Sequence, residues 1–329
     1  QIEFNLKQPR DLEYLGLLSQ DEFQSLSRSL RFIWYARNHI HYLCGRKCDQ
    51  LNFENQLKLA DALKYKKNKN QQPVERFLGE LHGRMEYLKR QHLMFLHELG
   101  LEKKRKRGRK TNKTSNVAGL EVIKWGMLNF ASPERIMESP VLLMKIFEES
   151  ARLKIPLSAE AKRLVREFSY LADKKFRSSK PIVKSFERIL AAPAPTFNVL
   201  NEMLNTGFLV RFIPEFRNIV NRIQYDEYHL YPVDKHLLRA VQIVKKFGTA
   251  NDSSLEPLCD MIYGELKDKR LLLWSVLLHD IGKGVSEEDH AEKGGAIIKK
   301  ILTRAGMKSE DLETVVFLVQ EHLFLVQTA

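Results

Sequence analysis

The stretch "LLLWSVLLHDIGKG", residues 271–284, runs as an apolar helix and then sets His279 beside Asp280, just before Gly282. Burying an imidazole against a carboxylate is unfavourable unless something binds them. Three further histidines stand at helical spacing nearby. His236 follows Pro232 at a helix start and aligns with Ala240 and Ile243, which turns it toward the core. His290 heads the stripe Gly294, Ile297, Ile301; His322 continues the stripe Val315, Val319, Val326 on a helix expected to take Ser309 as its N-cap. One buried histidine is usually a core residue satisfied by a hydrogen bond. Four such positions, one beside a carboxylate, point instead to a hard or borderline divalent cation held by mixed nitrogen and oxygen ligands. Such an ion lowers the pKa of bound water and neutralises charge on a phosphoryl oxygen. Lys283, directly after the pair, suits a phosphate contact or proton transfer, and equally a plain surface position.

The elements that must carry these residues are helical, and strand signals are nearly missing. "SQDEFQSLSRSLRFIWYARNHIHYLCGR" opens with Ser19 and Glu22 at capping-box spacing and sets Leu26, Leu30, Ile33 and Ile40 on one stripe. His39 and His41 within it are two apart, point to different sides of the helix, and read as structural. A second helix is expected over 74–100, stopped by Gly100, and further ones over "PERIMESPVLLMKIFEESARLK", "SAEAKRLVREFSYLADKK" and "KPIVKSFERILAA". "AAPAPTF" reads as a hinge-like connector, followed by a helix ended by Gly207. The expected fold is all-α, divided as 1–150, a helical connector over 151–220, and 221–329.

Composition removes several function classes. At 329 residues with 29% charged side chains, the chain has the make-up of a globular protein with a substantial core. Its longest apolar run is far short of the ~20 residues that cross a bilayer. Cys44, Cys48 and Cys259 are odd in number and unlike a zinc knuckle in spacing, which points to a reducing, cytoplasmic compartment. Of the net charge of +13, eight positive charges lie in "KKRKRGRKTNKTSN", residues 103–116. That run has no apolar periodicity and no interleaved aromatics, so it reads first as a solvated loop and only second as a phosphate or acidic-surface contact. The opening residues lack both an initiating Met and a signal core, so the chain is expected to be a piece of a longer one.

"HDIGKG", with His236 upstream in "VDKHLLRA", resembles the HD superfamily of metal-dependent phosphohydrolases. The resemblance is closer to one family in it. "LNTGFLVRFIPEFRNIVNRIQYDEYHLYPVDKHLLRA", "LLLWSVLLHDIGKG", "DHAEKGG" and "VFLVQEHL" are similar, in order and wording, to the bifunctional PII uridylyltransferase/uridylyl-removing enzymes of bacterial nitrogen control. "RFIWYARNHIHYLCGRKCDQLNFENQ" and "VERFLGEL" resemble the helical domain that follows their nucleotidyltransferase sheet. The resemblance implies an HD-type phosphohydrolase domain over 221–329, with His236, His279 and Asp280 as central ligands of Mg2+ or Mn2+. It puts His290 and His322 where related proteins hold a second metal; Asp280 and, from its place directly after the pair, Lys283 are the residues expected to act in catalysis. The implied reaction hydrolyses the phosphodiester joining UMP to a tyrosine of the PII signal protein, whose tyrosinate, with a conjugate acid of pKa about 10, is a fair leaving group.

The departures matter as much. The Gly-Ser turn and the Asp-x-Asp pair that such a uridylyltransferase centre needs occur nowhere here, so this chain is not expected to transfer UMP. The family's terminal regulatory domains have no counterpart. HD sites usually close with an Asp on a later helix, whereas the sequence ends at Ala329, seven residues after His322, and that ligand is expected to lie beyond it. The alternative is a non-catalytic helical scaffold with a degenerate HD domain. A nucleic-acid-associated phosphohydrolase using the basic run is a third reading.

Overall fold

A computed structural model describes residues 8, 10–98, 114–123, 126–193, 198–225, 231–247, 257–285 and 289–324. By contact the chain sorts into two compact units, one formed by residues 1–108 and 221–230, the other by 109–220 and 231–329.

The first unit holds α1 (Asp11–Tyr14), α2 (Gln20–Leu43), α3 (Phe53–Ala62) and α4 (Pro73–Glu98). The capping box forms as the spacing requires: the Ser19 hydroxyl accepts from the Glu22 N–H, and the Glu22 carboxylate from the Ser19 N–H. The buried stripe of α2 is not the expected one, however. It runs through Glu22, Ser29, Ala36 and Ile40, with Leu26, Leu30 and Ile33 only half-buried. The Tyr87 hydroxyl of α4 donates to the Glu22 carbonyl at 3.0 Å. That contact turns a capped polar end, rather than a leucine row, inward. The core beneath is small, made of Ala36, Ile40, Leu59, Ala60, Val74 and Phe77.

The segment after residue 220 lies along α4 in this unit. Asn221 takes a left-handed φ of 54°, which Asn tolerates, and the Tyr225 N–H donates to buried Glu75. Two glycines one turn apart make room. A Cβ on Gly79 would stand 2.6 Å from the Asn221 carbonyl oxygen, whereas one on Gly83 would meet only the Asn221 carboxamide, at 2.9 Å. Gly79→Ala should therefore cost about 1–2 kcal/mol despite the gain of roughly 1 kcal/mol in helix propensity. Gly83→Ala, which a side-chain rotation relieves, should be near neutral. Urea unfolding checks both, and equal effects would contradict this account.

The second unit begins with a feature absent from the expectations, an antiparallel ribbon of β1 (Leu120–Ile123) and β2 (Met127–Phe130) with Leu120 opposite Phe130. Strands of four residues carry too few alternations to register as period two. Helices α5 (Pro133–Glu138), α6 (Leu142–Leu153), α7 (Ala159–Phe168), α8 (Lys174–Ser178), α9 (Lys180–Ala191), α10 (Val199–Asn205) and α11 (Phe208–Phe212) follow. Then come α12 (Val233–Val244), α13 (Pro257–Glu265), α14 (Lys269–Leu278), α15 (His290–Arg304) and α16 (Ser309–Gln320). Short 3₁₀ turns occupy Ser169–Leu171, Pro214–Ile219 and Ile281–Gly284. The all-α expectation holds, with the small ribbon added.

One apolar cluster runs from Leu120 through Val319. Phe186 of α9 packs against Trp274 of α14 and Phe212 of α11, with ring centroids 5.2 and 4.9 Å apart. The connector expected over 151–220 thus shares its core with the helices that carry the histidines, so packing divides the chain differently from the three stretches read along it. Most of the basic run, residues 103–113, and residues 194–197 of the expected hinge lie outside the described residues, as does Gly100.

Candidate metal centre

The centre is built on α14. Its apolar sequence buries Leu273, Trp274, Ser275, Leu277 and Leu278, and it is capped at its start by the Asp268 carboxylate accepting from the Arg270 N–H. The helix stops at Leu278, leaving His279 as its C-cap and Asp280 in front of the 3₁₀ turn. Gly282 sets that turn against α15: a Cβ there would fall 1.8 Å from the His290 carbonyl oxygen. Arg304, at the far end of α15, pairs with Glu215 through two contacts of 2.8 Å and ties the helix to the 3₁₀ turn Pro214–Ile219.

The five residues singled out as ligands come together. His236 Nε2 stands 3.1 Å from His279 Nε2 and 3.7 Å from Asp280 Oδ2, and His279 Nε2 lies 3.5 Å from that oxygen. On the other side of the carboxylate, His290 Nε2 and His322 Nε2 approach Oδ1 at 3.6 and 3.7 Å. His236, His279 and Asp280 form one compact donor group and Asp280, His290 and His322 a second, sharing the carboxylate.

Hydrogen bonds fix which ring nitrogens face inward. His279 Nδ1 donates to the Val276 carbonyl at 2.9 Å and His322 Nδ1 to the Val319 carbonyl at 2.6 Å. In the neutral rings this leaves the Nε2 lone pairs directed at Asp280, the arrangement that tunes metal-ligating histidines. Burial holds the His279 imidazole down at about 4, so it is neutral near pH 7. For Asp280, burial works against ionisation, but the positive groups around it outweigh burial and hold its carboxyl below the ordinary range. Its Oδ1 is buried without a hydrogen-bond donor while two imidazole nitrogens face it. Lone pairs aimed at a carboxylate repel unless a cation stands between them, so the donor set fits a divalent ion.

Several local expectations are corrected. His236 does not face the core: its side chain is 43% exposed, because α12 buries Val233, Asp234, Leu237, Leu238 and Val241 instead, and Ile243 is exposed. Ser309 is the first helical residue of α16, Lys308 is the cap, and no side chain bonds there. His322 lies in the turn after α16 rather than on it, and Val326 is outside the described residues. Lys283 is not a surface lysine: only 7% of its side chain is exposed, with Nζ 2.9 Å from Asp280 Oδ2. The 3₁₀ turn folds it back under the carboxylate, which a loop reading of "DIGKG" does not reveal. The carbonyls of Val276 and Val319 escaped notice for a different reason, since any residue supplies a carbonyl.

An apolar helix ending in a His-Asp pair, with histidines arriving from neighbouring elements, defines a helical HD domain, and the HD domain model matches residues 233–329. Two further family models match upstream, GlnD PII-uridylyltransferase over residues 1–96 and the uridylyltransferase GlnD third domain over 122–212. Curated relatives align along almost the whole chain. A bifunctional uridylyltransferase/uridylyl-removing enzyme of Cereibacter sphaeroides is 28% identical over 98% of this chain and 35% of its own length. That of Ruegeria pomeroyi is 29% identical over 99% and 36%, and that of Azospirillum brasilense 29% over 97% and 35%. Along almost its whole length the chain is thus similar to bifunctional uridylyltransferase/uridylyl-removing enzymes, the resemblance its sequence motifs carry, and it spans about a third of the length of the curated relatives it matches.

Proposed function

We propose that this chain carries the uridylyl-removing activity, the metal-dependent hydrolysis of UMP from a tyrosine of uridylylated PII protein. The observation that carries the reading is the convergence of four imidazole nitrogens on the two oxygens of one buried carboxylate. His236, His279 and Asp280 hold the central ion, Mg2+ or Mn2+, and His290 and His322 complete a second position through the other Asp280 oxygen. A bound divalent cation supplies charge stabilisation at the phosphoryl oxygens and acidifies water. The residues do the rest. Burial keeps His279 unprotonated and ready to ligate, and the Val276 and Val319 carbonyls hold two rings at fixed tilt. Lys283 neutralises and orients Asp280 from beneath the carboxylate.

The partner would be PII and the compartment the cytoplasm; among the described residues no helix is long and apolar enough to cross a membrane. The test is UMP release from uridylylated PII. With Mn2+ the wild-type chain should bind the ion near stoichiometrically and release UMP, and His279→Ala should lose both. Bound Mn2+ with no release, by this chain or by one extended past Ala329, would overturn the reading and leave a scaffold.

A further inference from the structure

Exposure around the centre is uneven. The His236 side chain is 43% exposed, against 18% for His279, 16% for His322, 14% for His290 and 5% for Asp280. The centre therefore opens on the α12 side. One turn beyond His236 on that helix stands Arg239, exposed to solvent, and residues three apart on a helix share a face with Cβ atoms about 5–6 Å apart. Its guanidinium lies over the Tyr231 ring, 4.8 Å from the centroid, and among the described residues no carboxylate pairs with it. The neighbouring cation, Lys235, is spoken for by Asn201 at 2.8 Å.

We propose that Arg239, braced on Tyr231, is a substrate-binding residue that takes the phosphate of a nucleoside monophosphate group entering the centre. This rests on the uridylyl-removing reading and adds to it the residue that recognises the substrate's charge. A guanidinium held over an aromatic ring by its central carbon leaves N–H groups at its edge to grip two phosphate oxygens at once. The stack also limits the rotamers that the long side chain must give up when ligand arrives. A surface arginine with an acidic partner would have its fork occupied; this one presents it beside the most accessible imidazole of the site.

UMP itself is the probe, titrated calorimetrically into the Mn2+-loaded chain, with kcat and KM on uridylylated PII as the second readout. Arg239→Ala should weaken UMP binding about 10- to 100-fold, the size of a lost hydrogen bond to a charged group. It should raise KM more than it lowers kcat, and leave Mn2+ stoichiometry and Tm as in the wild type. Arg239→Lys should recover only part of the affinity, because a point charge lacks the fork. Tyr231→Phe, which keeps the ring, should bind normally, and Tyr231→Leu should not. Arg31→Ala, which removes an equal charge from α2, serves as the control and should change nothing. UMP binding by Arg239→Ala equal to wild type, with Mn2+ retained, would overturn the assignment while leaving the hydrolase reading in place. Failure of the Mn2+-loaded wild type to bind UMP at all would remove the reading and the assignment together.

Discussion

Asp280→Asn should leave a protein that no longer binds Mn2+ measurably and releases UMP at least ~10³-fold more slowly, because each donor group loses its one anionic oxygen ligand. Substitutions that merely reorient a metal ligand cost about 10- to 100-fold in affinity, and removing the shared carboxylate charge should exceed that range. The same change should also destabilise the metal-free fold. Lys283 Nζ is 2.9 Å from Asp280 Oδ2 with both side chains almost fully buried, and a buried ion pair that loses one partner costs about 3–5 kcal/mol. The two effects separate in a double substitution. Asp280→Asn with Lys283→Met removes both charges, so thermal stability should recover most of the loss while Mn2+ binding stays absent. Calorimetric unfolding without metal, paired with a chelator-competition titration, reads both quantities. A double variant no more stable than Asp280→Asn alone would show that the Lys283 charge is not what the carboxylate balances. Retained Mn2+ binding in either variant would remove Asp280 from the centre.

The same buried pair shows how far the sequence reaches. That the four histidines would gather around Asp280 was legible because metal chemistry needs particular side chains, and those types recur near the ends of successive helices. The spacing of Ser19 and Glu22 was legible for a similar reason, since a capping box is made within four residues. What escaped depended on contacts between distant segments. The inward stripe of α2 follows from the Tyr87 hydroxyl reaching Glu22, a contact across 65 residues that no local periodicity encodes. The burial of Lys283 follows from the 3₁₀ turn, and the exposure of His236 from which face of α12 meets α14. The shared core of the second unit follows from Phe186 and Trp274, 88 residues apart in the chain, lying ring against ring. Residue type announced the chemistry; tertiary packing decided which of those residues is sheltered and which faces the solvent.

Gly282→Ala should damage the centre without touching a ligand. A Cβ on Gly282 would lie 1.8 Å from the His290 carbonyl oxygen, 2.7 Å from the Gly294 nitrogen and 2.8 Å from the His290 carbonyl carbon. All three are backbone atoms of α15, so no side-chain rotation relieves the clash, and the 3₁₀ turn and the first turn of α15 must part. His290 then leaves its place 3.6 Å from Asp280 Oδ1, and the donor group it forms with Asp280 and His322 opens. Overpacking of this kind costs about 1–3 kcal/mol, at the upper end or beyond where only backbone can yield. Gly294 supplies the comparison across the same contact. A Cβ there would meet Gly282 no closer than 3.6 Å, an ordinary van der Waals distance, and within a helix alanine is favoured over glycine by up to about 1 kcal/mol. Gly294→Ala should therefore be neutral or slightly stabilising and bind metal as the wild type does, while Gly282→Ala should lower Tm by several degrees and weaken binding at the position His290 serves. Metal stoichiometry by mass spectrometry and a thermal scan decide it. Equal behaviour of the two alanine variants would mean that the close approach of turn and helix does not hold His290 at the centre.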